Sequence, residues 1–356
     1  MKLLLNSLQK TFMLILTLTL CHHSVAKEGK KIWLKSGDAK GLIDAIDELN
    51  KTNADSLCER SYIFLPNGVY DFGDKVLTTI SGNNISIIGE SMDGVIVKNS
   101  PDVANEGISK TATFLIKGSG TYLQSLTIQN AMKFYESKFA GRAVTVQDKG
   151  NHTIMKKVRL LSYQDTYYSN CSTSQYYFED CEIHGNVDFI CGEGDVYFNR
   201  CTIVSEKRNL NGKGESTIAA PRTNKTDWGF VMYNCVVKTD NNTRFNFGRA
   251  WKEKAMLAYV NTTIEQPELL VATRFNPNCM GTIEQTFVEC GTVDGKGKSI
   301  VPASNVVEFS LKGEKRKAET ILPSADAKKY AIGNVYKKWR ADKICKKLYF
   351  EWKNNK

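Results

Sequence analysis

The sequence predicts an all-β protein: a right-handed parallel β-helix with a short N-terminal capping helix and a C-terminal extension. Three observations lead there. Between about residue 60 and residue 300 the chain runs in short segments rich in Val, Ile, Tyr, Phe and Thr, broken by Gly, Asn and Asp, which is the grammar of strands and tight turns. Those segments resemble one another, so a single unit is repeated. Long helical patterns are confined to residues 38–53 and to the stretch after about residue 324.

The chain has 356 residues, 42% of them hydrophobic and 24% charged, which is globular and sufficient for one large domain. Its N-terminus reads as an export signal. Lys2 and Lys10 make a positive start, residues 12–20 are an apolar run too short to span a bilayer, and Ser24-Val25-Ala26 supplies the small residues a signal peptidase reads. Residues 1–26 are therefore expected to be cleaved after Ala26, leaving 27–356 as one secreted or periplasmic domain. The alternatives are a buried N-terminal helix, or a lipoprotein anchored at Cys21, although Leu20 stands where a small residue is usual. In the first helix, Leu42, Ile43, Ile46 and Leu49 share one face, and Asp38 stands near its start.

The repeat spans residues 121–128, 153–160, 176–183, 196–203, 230–237 and 257–264. Each copy has two or three mostly apolar residues, a polar pair, a small or apolar anchor, and another apolar residue two positions on. The anchors are Leu126, Val158, Cys181, Cys201, Cys235 and Thr262, separated by 32, 23, 20, 34 and 27 residues. A coil of about 20 residues with inserted loops explains this spacing, whereas a propeller blade is about twice as long. Stacked coils bury a continuous core that no single coil buries alone, and parallel crossovers are nearly always right-handed. An ordinary β-sandwich with chance similarity is the alternative.

The repeat also places chemistry. Asp165 lies seven residues after Val158, and Asp188 lies seven residues after Cys181. Stacked anchors imply stacked aspartates on neighbouring coils, about 4.8 Å apart. Two carboxylates that close cannot both ionise freely, so one pKa rises, and one residue type then supplies both an acid and a base. Tyr163, Tyr167 and Tyr168 surround Asp165 in sequence, and Phe189 and Ile190 follow Asp188, so partial desolvation would strengthen the effect. The plainer alternative is two turn aspartates that bond backbone amides.

Nine cysteines remain once Cys21 is removed. Cys181 and Cys201 occupy equivalent positions on consecutive coils, which suits either a disulfide or a ladder of small buried thiols. No Cys-x-x-Cys occurs, and only His152 and His184 remain after cleavage, so a zinc site is not expected. The net charge of +10 becomes about +8 without Lys2 and Lys10. That favours an anionic partner. No compact Lys/Arg patch interleaved with aromatics and no later membrane-spanning stretch stands out, so acidic polysaccharide, nucleic acid and membrane surface stay open as partners, beside a charge kept for solubility.

At these residues the sequence resembles the pectin methylesterases, carbohydrate esterases with a β-helix fold. Tyr163-Gln164-Asp165-Thr166-Tyr167-Tyr168 is similar to that family's Gly-Tyr-Gln-Asp-Thr-Leu-Tyr block. Gly185-Asn186-Val187-Asp188-Phe189-Ile190-Cys191-Gly192 is similar to its Gly-Thr-Val-Asp-Phe-Ile-Phe-Gly, and Phe247-Gly248-Arg249-Ala250-Trp251 to its Leu-Gly-Arg-Pro-Trp. Two blocks depart: Gly68-Val69-Tyr70-Asp71-Phe72 ends in Phe72 instead of Glu, and Arg142-Ala143-Val144 has Arg142 in place of an active-site Gln. The resemblance implies hydrolysis of galacturonate methyl esters in pectin by a monomer that needs no metal and no cofactor, with an acidic polysaccharide rather than nucleic acid or membrane as its partner. It implies Asp188 as nucleophile, Asp165 as general acid and then base, Gln164 as oxyanion donor and Arg249 as the group that holds Asp188 ionised. Trp251, Tyr167, Phe189 and Arg142 would contact substrate. Arg142 would reach the ester carbonyl, pair with Asp165, or bind a neighbouring galacturonate carboxylate.

Two rival functions stay open on the sequence. A polysaccharide lyase on a similar coil would need an Arg or Lys base and, usually, calcium held by several carboxylates. A binding protein with decayed catalysis is motivated by Arg142 and Phe72. The absence of Gly-x-Ser-x-Gly argues against a serine esterase of the α/β-hydrolase kind.

Overall fold

The computed structural model describes residues 28–136, 141–211, 214–240 and 242–352. The expected export signal at 1–26 lies outside the described residues. After a short strand (Lys31–Trp33) the chain forms helix α1 (Ala39–Thr52), where the Asp38 carboxylate accepts a 2.8 Å hydrogen bond from the Gly41 N–H and so caps one of the free amides of the first turn. Leu42, Ile46 and Leu49 are completely buried in the main core. This face closes the end of a solenoid whose apolar interior would otherwise meet water.

From there the chain winds as a parallel β-helix. The strands make a 17-stranded sheet, whose two flanks are joined through turns, and a separate seven-stranded sheet. The seven run in chain order: β1 (Thr78–Ile80), β2 (Phe114–Ile116), β3 (Val146–Asp148), β4 (Tyr167–Ser169), β5 (Val187–Gly192), β6 (Ser216–Pro221) and β7 (Phe245–Gly248). Every pairing in both sheets is parallel, and the antiparallel hairpin Val306–Leu311/Glu314–Glu319 comes only after the coils.

The predicted anchors stack. Leu126 pairs with Val158, and the registers Arg159↔Glu182, Glu182↔Thr202, Thr202↔Val236 and Val236↔Thr263 carry the same column through Cys181, Cys201, Cys235 and Thr262. The residue before each anchor explains the polar pair in the repeat. Ser125, Lys157, Asp180, Arg200, Asn234 and Asn261 all have φ between 51° and 53°, a left-handed corner that turns the chain from one flank of the sheet to the other. A second column, Met155, Phe178, Phe198, Met232 and Tyr259, fills the interior, with the Phe178 and Phe198 rings stacked at 4.6 Å. Each such buried side chain is worth about 1.5–3 kcal/mol of transfer free energy.

The disulfide expectation is corrected. Cys181 and Cys201 are both free and buried, members of a thiol ladder with Cys235. Each thiol is satisfied locally: Cys181 donates to the Met155 carbonyl at 3.3 Å and Cys235 to the Phe198 carbonyl at 3.5 Å. Of the two departures from the family blocks, Phe72 is plain core, meeting Phe114 edge-on at 5.9 Å.

Candidate active site

The site forms on the outer face of the seven-stranded sheet. The Gln164 backbone bridges Arg142 on one coil and Val187 on the next, which sets Asp165 beside Asp188 in register, and the Asp165 N–H donates to the Val187 carbonyl at 3.1 Å. Both aspartates adopt left-handed backbone, φ 58° at Asp165 and 49° at Asp188. A left-handed residue within a strand re-aims its neighbours. Between Val187 and Ile190 the register of β5 against β6 slips, so Phe189 and Ile190 both turn into the core. Gly185 makes room for that turn, since a Cβ there would lie 2.1 Å from Cβ of Phe189.

The two carboxylates have opposite surroundings. Asp188 is gripped by Arg249 in a two-pronged pair, Nε to Oδ1 at 2.8 Å and Nη2 to Oδ2 at 2.6 Å. Burial by itself would lower the Arg249 guanidinium, but its bonds to Asp188 outweigh that and leave it raised. Asp165 has no ion-pair partner among the described residues and is 5% exposed. Burial first, and the Asp188 charge second, push its carboxyl well above the usual carboxylate range, against the opposing pull of Arg142, the Cys191 thiol and Arg249. The pair thus sets a carboxylate oriented by Arg249 beside a carboxyl whose pKa is raised. The Gln164 side-chain amide has no hydrogen-bond partner among the described residues and lines a cavity of about 480 Å³.

Other expected contacts are redistributed. Tyr167 is corrected from a sugar-facing to a core residue: it is completely buried, and its hydroxyl lies 3.4 Å from Asp148 Oδ2. Strand alternation sends its neighbour Tyr168 outward instead, with its ring 6.2 Å from that of Trp251. Phe189 is likewise corrected to core, turned inward by the bulge after Asp188. Trp251 stands half-buried at the margin of the site, with the Arg222 guanidinium 5.4 Å from its ring. Arg142 takes a partner the sequence reading did not name: Nη1 lies 3.3 Å from Glu106 Oε1, and the Arg142 N–H donates to Glu106 Oε2 at 3.1 Å. The reading also missed Cys191, whose Sγ donates to Asp165 Oδ1 at 3.6 Å. Its signal was the substitution of Cys for Phe in the Asp188 block. Among the described residues, no cluster of three or more His, Cys, Asp or Glu side chains is arranged to hold a metal ion.

A family model described as Pectinesterase matches residues 24–272, well over half of the chain. The putative pectinesterase/pectinesterase inhibitor 45 of Arabidopsis thaliana is 27% identical over 237 residues, covering 64% of this chain and 37% of that protein. The pectinesterase/pectinesterase inhibitor PPE8B of Prunus persica is 26% identical over 247 residues, covering 62% of this chain and 46% of that protein. The chain thus spans less than half the length of these curated relatives. Among solved structures, pectin methylesterase PemA from Erwinia chrysanthemi superposes with a TM-score of 0.68 at 23% identity, over 89% of this chain and 99% of that one. A pectin methylesterase in complex with a hexasaccharide superposes at 0.66 and 23% identity, over 89% and 99% of the two chains. These likenesses show a shared β-helix fold, and with the family match over most of the coil they lead to one assignment: the chain belongs to the pectinesterase family.

Proposed function

We propose that the protein hydrolyses methyl esters of galacturonate units in pectin, releasing methanol and leaving free carboxylates. The observation that carries this reading is the asymmetry of the aspartate pair: Asp188 gripped by Arg249 in a two-pronged pair, Asp165 buried beside it with a raised pKa. Asp188 attacks the ester carbonyl carbon. The oxyanion that forms accepts a hydrogen bond from the Gln164 amide. The intermediate collapses, the methoxy oxygen takes the Asp165 proton, and methanol leaves an anhydride joining the galacturonyl group to Asp188. Asp165, now a carboxylate, takes a proton from water as that water attacks the galacturonyl carbon of the anhydride. The Asp188 carboxylate departs and both groups return to their starting states.

Trp251 and Tyr168 form the wall against which sugar rings would pack. The hexasaccharide complex of a structural neighbour supports a polysaccharide partner. We also infer that residues 1–26 are an export signal cleaved after Ala26 and that 27–356 acts outside the cytoplasm as a single monomeric domain. No described helix is long and apolar enough to cross a membrane. The deciding experiment is methanol release from highly methylated pectin by residues 27–356, with and without a chelator. Chelator-insensitive methanol release is expected. Unsaturated, ultraviolet-absorbing products without methanol would replace the esterase with a lyase.

A further inference from the structure

His184 stands between two carboxylates, and both of its ring nitrogens are engaged. Nδ1 lies 2.6 Å from Glu206 Oε1, and Nε2 lies 2.7 Å from Glu182 Oε1. A carboxylate only accepts, so two such contacts need a proton on each nitrogen, which only the imidazolium carries. A neutral ring would turn a lone pair toward one of the acids. Strand pairing builds the arrangement. Glu182 and His184 are two residues apart on one face of the strand Glu182–Gly185, and His184 pairs with Val204 of the next coil, which puts Glu206 diagonally beside it.

The two acids are not equivalent. Glu182 also accepts a 2.6 Å hydrogen bond from Arg159 Nε, and the same guanidinium reaches Asp93 at 2.7 Å. The Glu206 side chain has no hydrogen-bond partner besides His184 among the described residues. Tyr163 and Tyr135 are the other titratable groups close to Glu206: burial first raises both phenols, and the Glu206 charge adds to it. Burial by itself would lower the His184 imidazole, but its bonds to Glu182 and Glu206 outweigh that and leave it raised. The tie is therefore complete below the ordinary imidazole range and is lost as pH rises through the raised value. Glu206 is the acid that then goes free, because Arg159 keeps Glu182.

Glu206 follows the strand Thr202–Ser205, where the coil gives way to the wall of the active site. Its N–H donates to the Gly185 carbonyl at 2.7 Å. The next carbonyl, of Lys207, accepts 2.7 Å and 3.1 Å hydrogen bonds from the Asn186 side-chain amide and the Tyr135 hydroxyl. Arg208 and Asn209 come next and line the cavity of about 480 Å³ that Gln164 also lines. We propose that His184 is a positioning residue: doubly protonated, it holds Glu206 and with it the wall that begins at Lys207, and on losing a proton it releases Glu206, so that substrate binding weakens as the pH rises. The kinetic part of this inference rests on the esterase reading above.

The test uses residues 27–356, in which His152 and His184 are the only histidines. His152 stacks on Trp339 and burial lowers it, so the two rings titrate apart. Nitrogen NMR of wild type should find both His184 nitrogens protonated at about pH 7, above the ordinary imidazole value of about 6.5. Loss of a hydrogen bond between charged groups shifts an equilibrium about tenfold or more. As the ring titrates, the Glu206 N–H should accordingly lose about tenfold in protection against hydrogen exchange, after correction for base catalysis. Over the same range KM for highly methylated pectin should rise about threefold to tenfold, while kcat follows Asp165. His184→Ala should show the loosened values at every pH. Glu206→Gln should remove the pH dependence, because a neutral ring can donate Nε2–H to Glu182 while the new amide donates to Nδ1. A His184 ring that is neutral at about pH 7, or protection and KM profiles shared by wild type and Glu206→Gln, would each overturn the proposal. If wild type releases no methanol from any pectin, the esterase reading fails, and ring protonation with Glu206 exchange then decides whether the clamp exists.

Discussion

The coil has two apolar outer faces, and they meet different fates. One is built from a ladder of large residues, Tyr122, Ile154, Tyr177, Tyr197 and Val231, and is covered by the chain's own C-terminal segment through Val335, Tyr336, Trp339, Ala341 and Cys345. The Tyr336 hydroxyl lies 2.7 Å and 2.8 Å from the carbonyls of Tyr176 and Asp195, which fixes that segment to two successive coils. The other face carries mostly small residues, Ala112, Val144, Cys191 and Ala220, with Tyr168 and the partly buried Trp251 among them. Large side chains make a ridge that a tail can grip. Small ones leave no such ridge, and on this face the Cys191 thiol donates to Asp165 while the Arg222 guanidinium lies 5.4 Å from the Trp251 ring. One backbone repeat therefore yields a stability face and a chemistry face by side-chain size alone.

If the faces are separable in this way, substitutions on one should move rate and on the other stability. The largest expected effect is from Asp188→Asn, which removes the nucleophile and should cut methanol release by on the order of 10⁴-fold or more while a folded, pectin-binding protein remains. Next is Asp165→Asn, with an expected loss of about 10² to 10⁴-fold, since both methanol departure and water attack use its proton. Wild-type rates in both variants, with normal folding, would remove the pair from the mechanism.

On the opposite face, Trp339 is 8% exposed and stacks on His152 at 4.6 Å. Trp339→Ala should lose about 3 kcal/mol in urea unfolding with kcat per folded molecule unchanged. A matching fall in kcat would show that the faces are coupled through the coil.

The smallest effect sharpens the comparison within the site. Asp165 must be protonated to release methanol, so kcat/KM should fall as pH rises through its raised pKa. Arg142 is one of the groups that pull that pKa down, so Arg142→Gln should raise it further and move the alkaline limb to higher pH. Asp188, Cys191 and Arg249 act on the same carboxyl and stay in place, while Glu106 loses its partner, a change that acts in the same direction. An alkaline limb that moves to lower pH or stays put would mean that Arg142 does not act on Asp165 electrostatically.

Much of this was readable from residue order because a coil is arithmetic. Leu126, Val158, Cys181, Cys201, Cys235 and Thr262 stack because each follows the same left-handed corner, and equal offsets from those anchors brought Asp165 and Asp188 together without any knowledge of three-dimensional contacts. The capping helix was legible from one apolar face and Asp38. The direction of a side chain at a kink was not. Tyr167 and Phe189 follow left-handed aspartates, where the simple in-out alternation restarts, and so the residues adjacent to the site went inward while Tyr168 went outward. Nor was the state of Cys181 and Cys201, because backbone carbonyls of the packed coils satisfy thiols that residue order only places at equivalent positions. The partner of Arg142 and the position of Arg208 depend on loops that return from 36 residues upstream in one case and are tied by Asn186 and Tyr135 in the other. Residue order carries the period of a repeat, since every coil obeys the same geometry. Loops obey no period, and only their packing against the coils decides which charges meet at the site.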